Sequence, residues 1–300
     1  MKVVGRWLVG WLVCLLVGCG TAVSPPPPPT PIVPLNTATQ PSAPDTAVPP
    51  AELSPTATQQ PTMQPTRQPT PIPDTGWQPV QPGLEQRTLH LFDAAGVARE
   101  RLFVLRLEPA QFTFGVAYRP GAPQFIPQWQ AETDALLVVN GGYFTPENVA
   151  TGLIIVAGQA SGSSYGDFAG MLAVDARGPE VRWLRERPYS PDEPLLYALQ
   201  SFPMLVRPGG VLGFPEEDGV AARRTAVGQD EDGRILFIFA PWGSLTLHQF
   251  STFLAESDLG LDAAFNLDGG PSTGMLLVGE TAVEIPAFAP LPAVITVLPR

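Results

Sequence analysis

From about residue 83 onward the chain reads as short apolar runs separated by turn residues. Leu102 to Leu107, Phe112 to Tyr118, Leu136 to Val139, Gly152 to Val156, Met171 to Val174, Arg234 to Phe239, Met275 to Val278 and Val294 to Leu298 have the length and composition of strands. Asp93-Ala94-Ala95-Gly96, Arg207-Pro208-Gly209-Gly210 and Asp232-Gly233 are turn signals between them. Two stretches predict helices. Pro127 to Leu136 is the shorter; in Leu245 to Leu259, Leu247, Phe250, Phe253 and Leu254 fall on one face and Ser244 stands at the N-cap. Many strands with few helices predict an α+β fold with a mixed, mainly antiparallel sheet core, as a single domain over residues 83–300.

The chain before that domain follows other rules. Lys2 and Arg6 precede an apolar stretch from Trp7 to Val17, a secretory signal too short for a comfortable membrane span. Leu16-Val17-Gly18-Cys19 resembles the bacterial lipoprotein signal, which implies cleavage after residue 18 and lipidation of Cys19. The alternative is an uncleaved N-terminal anchor; either way the domain is expected outside the cytoplasm, and the lipoprotein reading holds it to the bacterial cell membrane through an N-terminal lipid anchor. Residues 20–82 are dominated by Pro and Thr, with five prolines from Pro25 to Pro29; such a tract lacks the apolar surface to fold and predicts a disordered, extended stalk.

Composition removes whole classes of chemistry. The only lysine is Lys2 and the only cysteines are Cys14 and Cys19, so the domain has no amine or thiol side chain. Schiff bases, thiolate nucleophiles, thiolate metal sites, disulfides and lysine-dependent phosphate loops are excluded. Two histidines, His90 and His248, cannot make a three-histidine zinc site. The net charge of −11 lies on the domain, because Lys2, Arg6 and Arg67 cancel Asp45, Glu52 and Asp74. Without a basic patch no nucleic-acid partner is expected.

Two motifs share a design. Asn266-Leu267-Asp268-Gly269-Gly270-Pro271-Ser272-Thr273-Gly274-Met275 and Asn140-Gly141-Gly142-Tyr143-Phe144 each end an apolar run on a polar side chain followed by paired glycines. Glycines at such turns let backbone N–H groups approach a ligand, and two such ends predict one shared pocket. Strand alternation puts Asn266 and Asp268 on one face with Leu267 on the other. Their oxygens also suit Ca²⁺ or Mg²⁺, so a divalent cation stays open, although no cofactor is implied. Tyr143-Phe144 suits either a sugar-facing wall or core. In Arg223-Arg224-Thr225-Ala226-Val227-Gly228 a guanidinium could clamp an anion, or be surface charge. Gly162-Ser163-Ser164-Tyr165-Gly166 fits the serine-hydrolase elbow pattern, but it leads into a strand where the elbow needs a helix.

Together these residues resemble the phosphodiester glycosidase family. The matching pieces run in the family's order from about Leu137 to Met275. They are N-G-G-Y-F, Gln200-Ser201-Phe202-Pro203 for its Q-S-G-P, R-T-A-V-G from Arg224 to Gly228, and N-L-D-G-G-P-S-T-G-M for its N-L-D-G-G-G-S-S-T-M. Phe202, Pro271 and Gly274 depart from the family pattern. The resemblance implies hydrolysis of the bond between an anomeric carbon and a phosphate in a cell-surface or extracellular glycan. It implies Asp268 as base, nucleophile or oxocarbenium stabiliser, Arg224 as phosphate clamp and Asn140 as a catalytic-site ligand. Asn266, Ser272, Thr273 and Thr225, with the backbone of Gly141, Gly142, Gly269 and Gly270, would contact substrate. A phosphate leaves readily, its second pKa being about 6, so one carboxylate and an anion clamp suffice where most glycosidases need two carboxyls. Two alternatives are a non-catalytic glycan-binding module and a serine hydrolase using Ser164.

Overall fold

The computed structural model describes residues 73–280 and 282–300. The signal segment 1–19 with Cys19, and the stalk as far as residue 72, lie outside the described residues.

Eighteen strands and two α-helices form among the described residues. The chain begins with β1 (Gln78–Gln81), β2 (Leu84–Phe92), β3 (Ala98–Leu107), β4 (Phe112–Tyr118), α1 (Ile126–Thr133) and β5 (Leu137–Asn140). It continues through β6 (Ile154–Val156), β7 (Gln159–Ser161), β8 (Gly170–Asp175), β9 (Gly178–Trp183), β10 (Tyr197–Ser201), β11 (Met204–Arg207) and β12 (Val211–Leu212). The last part holds β13 (Ala222–Asp230), β14 (Ile235–Leu245), α2 (Leu247–Glu256), β15 (Leu261–Asn266), β16 (Met275–Leu277), β17 (Val283–Ile285) and β18 (Ala293–Pro299). The fold is α+β, sheet-rich with few helices, as the sequence predicts.

Three sheets result. The first has the order β1-β2-β3-β14-β13-β15-β11-β12, the second β7-β6-β10-β8-β9 and the third β17-β16-β5-β18-β4. The pairings that build them are antiparallel. One core lies where the three sheets meet and takes Phe237 and Phe265 from the first, Leu172 and Leu199 from the second, and Phe114 and Ile295 from the third. Strand β14 shows why its apolar run is continuous rather than alternating. Ile235, Phe237 and Phe239 enter that core, while Leu236, Ile238 and Ala240 on the opposite face pack with Phe250 and Leu254 of α2. Helix α1 covers the outer face of the third sheet, with Ile126 and Trp129 against Val138 and Val294.

Three boundaries differ from the sequence reading, each for a local reason. Residues 73–82, assigned to the stalk by composition, include part of the first sheet. Gln78 pairs with Gln86, Asp74 forms an ion pair with Arg87 at 2.6 Å, and the Arg106 guanidinium lies 3.8 Å over the Trp77 ring. Helix α1 stops at Thr133 because Asp134 turns left-handed at φ 52. Helix α2 is capped by Thr246, whose Oγ1 accepts from Gln249 N at 3.2 Å, and not by Ser244. Ser244 is the penultimate residue of β14 and is held by Glu100, to which its N and Oγ each donate at 3.0 Å.

Candidate active site

Strands β5 and β15 belong to different sheets and each ends at an asparagine, so the two glycine turns meet at the seam between the first and third sheets. Asp268 N donates to Gly141 O at 3.0 Å. Asn140 Nδ2 donates to Asp268 O at 2.8 Å and to Gly141 O at 3.2 Å. Asn140 Oδ1 accepts from Thr225 Oγ1 at 2.9 Å and from Gly274 N at 3.1 Å. Two donated and two accepted bonds exhaust the amide. Both Asn140 and Thr225 are fully buried, so their side chains tie three segments together rather than offering free groups to a ligand.

Asn266 and Asp268 converge on Tyr143. Asn266 Nδ2 donates to the Tyr143 hydroxyl oxygen at 2.7 Å and to Phe202 O at 3.2 Å. The Asp268 carboxyl is half-buried, and burial raises its pKa above the ordinary carboxylate range, against the Ser272 hydroxyl and the Gly269 N–H that stabilise its charge. Burial first, then the Asp268 charge, pushes Tyr143 up to about 12; the Arg224 guanidinium and Asn266 oppose the shift. Tyr143 therefore keeps its proton at working pH. Because its oxygen already accepts from Asn266, that proton is free to be donated.

Arg224 completes the group, and it is not surface charge. It is 7 % exposed, its Nε donates to Leu245 O at 3.3 Å and its Nη2 to Val220 O at 2.5 Å. No ion pair within the described residues engages it, and its Nη1 has no hydrogen bond there. Burial lowers its pKa, opposed by the charges of Tyr143 and Asp218, yet an arginine stays cationic at neutral pH. A buried guanidinium held by main-chain carbonyls, with donors unused, has the geometry and charge to receive an anion. Arg223, its neighbour, turns elsewhere: Nε to Pro241 O at 3.0 Å, Nη2 to Pro286 O at 2.9 Å, and the guanidinium 4.2 Å from the Phe288 ring.

Sequence reasoning missed Glu100. This fully buried carboxylate accepts from Trp242 N at 2.9 Å as well as from Ser244, and so fixes the bend at the end of β14. The carbonyls of that bend, Pro241 O and Leu245 O, are the ones that receive Arg223 and Arg224. The signal was present: Glu100 falls on the same side of β3 as Leu102 and Val104, a carboxylate directly beside two core positions.

The remaining predicted residues belong to the two glycine turns. Ser272 backs Asp268, and Thr273 is buried with no partner for its Oγ1. Gly142 lies against Gln200 O, and Gly270 opens the short 3-10 turn that contains Pro271. A side chain at Gly269 would meet Arg223 O at 2.8 Å, which explains the glycine beside Asp268. Gly274 departs from the family pattern for an equally local reason, since a Cβ there would lie 2.8 Å from Ala287 and Ile126. Among the described residues no three His, Cys, Asp or Glu side chains gather as a metal site. Asp268 and Asn266 supply one carboxylate and one amide, short of the roughly six to eight oxygens that Ca²⁺ takes. Ser164 Oγ donates to Tyr165 O and accepts from Gln200 Nε2, whereas His248 Nδ1 meets Phe214 O; no bond joins Ser164 to His248.

Comparison with known proteins decides the family. The phosphodiester glycosidase profile matches residues 133–298, a stretch that contains every element of the seam. The chain belongs to the phosphodiester glycosidase family. Among solved structures, the catalytic domain of zebrafish N-acetylglucosamine-1-phosphodiester alpha-N-acetylglucosaminidase, auto-inhibited by its pro-peptide, is similar in fold. It shares 20% identity over 73% of this chain and 85% of that one, with a TM-score of 0.59. A hypothetical protein from Synechocystis shares 13% identity over 73% of this chain and 62% of that one, with a TM-score of 0.52. No curated protein matches.

Proposed function

We propose that this phosphodiester glycosidase domain hydrolyses a sugar-1-phosphodiester in a cell-surface or extracellular glycan, from a position outside the cytoplasm and anchored through lipidated Cys19. The observation that carries the reading is the meeting of Asp268, Tyr143 and Arg224: a half-buried carboxyl with a raised pKa, a phenol with a free proton, and a buried guanidinium without a carboxylate partner.

In the proposed reaction Arg224 binds the phosphate oxygens and stabilises their charge as the bond to the anomeric carbon breaks. Tyr143 donates its hydrogen bond to the departing oxygen. Asp268 takes the proton of the attacking water, a role for which a raised pKa improves a carboxylate. Water adds to the anomeric carbon, the bridging oxygen leaves with phosphorus, and the products are a free sugar and a phosphomonoester. Asn140 and Thr225 hold the Asp268 loop in register, and Ser272 holds its carboxyl. No cofactor enters any step.

The test is turnover of a panel of sugar-1-phosphodiesters by the purified protein. Asp268→Asn is expected to lower kcat on the order of 10²- to 10⁴-fold with the fold intact. Arg224→Ala should raise KM for the phosphodiester while changing turnover of an aryl glycoside much less. Near-normal turnover by folded Asp268→Asn would overturn the proposal, and sugar binding without turnover by the unaltered protein would make the domain a glycan-binding module.

A further inference from the structure

A wall of four aromatic rings stands beside the reacting group. Tyr143 and Phe202 have ring centroids 4.8 Å apart, Phe202 meets Tyr165 at 5.2 Å and Phe168 at 5.4 Å, and the last two contacts are edge-on at 87° and 77°. The wall is continuous with the site, because Asn266 binds both the Tyr143 hydroxyl and Phe202 O. It is also rigidly mounted. Gln200, 2 % exposed, accepts from Tyr165 N at 2.8 Å and donates to Ser164 Oγ at 2.9 Å, and the Tyr165 hydroxyl bonds Thr151 Oγ1. Phe168 is 51 % exposed, and Tyr165 and Phe202 are partly exposed. Phe202 stands where the family pattern has glycine, so part of this wall belongs to this chain in particular.

Resting on the reading above, we propose that Tyr165, Phe168 and Phe202 form a subsite for the pyranose ring of the substrate, which stacks its C–H face on them. The C–H groups of a pyranose carry partial positive charge, and an aromatic face is negative. The ring's hydroxyls point outward from that face, and the wall supplies a polar margin for them in the hydroxyls of Tyr143, Tyr165 and Ser164. An alkyl chain has no use for such a margin, whereas sugar hydroxyls can add to its hydrogen bonds. Rings fixed by their own hydrogen bonds lose little freedom on binding a sugar. The placement puts a neutral ring on the aromatic side of Tyr143 and the anion on its Arg224 side.

The experiment measures binding by the purified full-length protein, using saturation-transfer NMR with glucose, galactose, N-acetylglucosamine, octyl phosphate and inorganic phosphate. Phe168→Ala removes an exposed ring and is expected to keep the thermal midpoint. It should weaken monosaccharide binding at least about tenfold, the scale of one to two aromatic contacts, and leave inorganic phosphate unaffected. Arg224→Ala should do the reverse. Phe202→Gly, which restores the family residue, should also weaken the sugar. Unchanged sugar affinity in Phe168→Ala, no monosaccharide bound by the unaltered protein, or preference for octyl phosphate each overturn the subsite. The two proposals fail separately: sugar binding lost in Phe168→Ala without any hydrolysis keeps the subsite and removes the reaction, whereas hydrolysis with unchanged KM in that variant does the opposite.

Discussion

Asn140 Nδ2 donates across 2.8 Å to the main-chain oxygen of Asp268, and the rest of the Asn140 amide is engaged by Gly141, Gly274 and Thr225. One side chain at the end of the third sheet thereby sets the position of a carboxyl delivered by the first. The asparagine cannot be replaced by its acid without conflict, since a carboxylate oxygen would face the oxygens of Asp268 and Gly141.

Asn140→Ala should therefore cost about 3 kcal/mol or more, because several buried groups lose partners at about 1–3 kcal/mol each. Urea denaturation measures the loss. Asn140→Asp should be at least as damaging, and a near-native midpoint in either variant would show the four bonds to be dispensable.

Asp268 gives a pH signature. Its folded pKa is raised above the ordinary 3.8, so its contribution to stability is fully present below that value and is lost as pH rises through the folded pKa. Asp268→Asn removes this cost. The variant should match the unaltered protein near pH 3.5 and exceed it in thermal midpoint at pH 7, a stability gain accompanied by loss of activity. A midpoint difference that does not change with pH would contradict the raised pKa of the half-buried carboxyl.

Much of this was readable beforehand, and the reason is local. The N-L-D-G-G and N-G-G turns follow apolar strands, and the alternation that puts Asn266 and Asp268 on one face survives in their shared approach to Tyr143. The bond of Arg224 to Leu245 O, the bond of Thr225 to Asn140 and the tie of Trp77 to Arg106 depend on partners far away in the chain, beyond any short window of sequence. Strands β2 and β9 escaped for a different reason. Both mix polar with apolar residues and so lack a continuous apolar run; Arg87 in β2 and Arg182 in β9 are buried through ion pairs with Asp74 and Glu193, which no strand pattern announces.

Glu100→Gln replaces an acceptor with a donor where Ser244 N and Oγ both donate. It should lower the thermal midpoint, by about 1–3 kcal/mol for each donor left unsatisfied. Because the bend of β14 carries Leu245 O, the same change should raise KM for a phosphodiester more than for an aryl glycoside. An unchanged ratio between the two substrates would confine Glu100 to stability.

Gly274→Ser restores a hydroxyl residue common in the family pattern. With Ala287 and Ile126 only 2.8 Å from the new Cβ, it should destabilise by about 1–3 kcal/mol as overpacking does. A paired Ala287→Gly change is expected to recover part of the loss, which calorimetry would detect.

Cys19→Ser should leave an unprocessed precursor and abolish metabolic labelling with palmitate. Undiminished labelling would reject the lipid anchor.

The aromatic wall comes mainly from the second sheet and its loops, whereas Asp268, Asn140 and Arg224 come from the seam of the other two. On the proposed reading, reactivity and choice of ring rest on separate foundations. Loop 162–168 hangs on Gln200 alone among the bonds reaching it from β10, so its sequence can be exchanged without disturbing the seam. A library confined to that loop should yield proteins that cleave the same kind of bond beside different sugars.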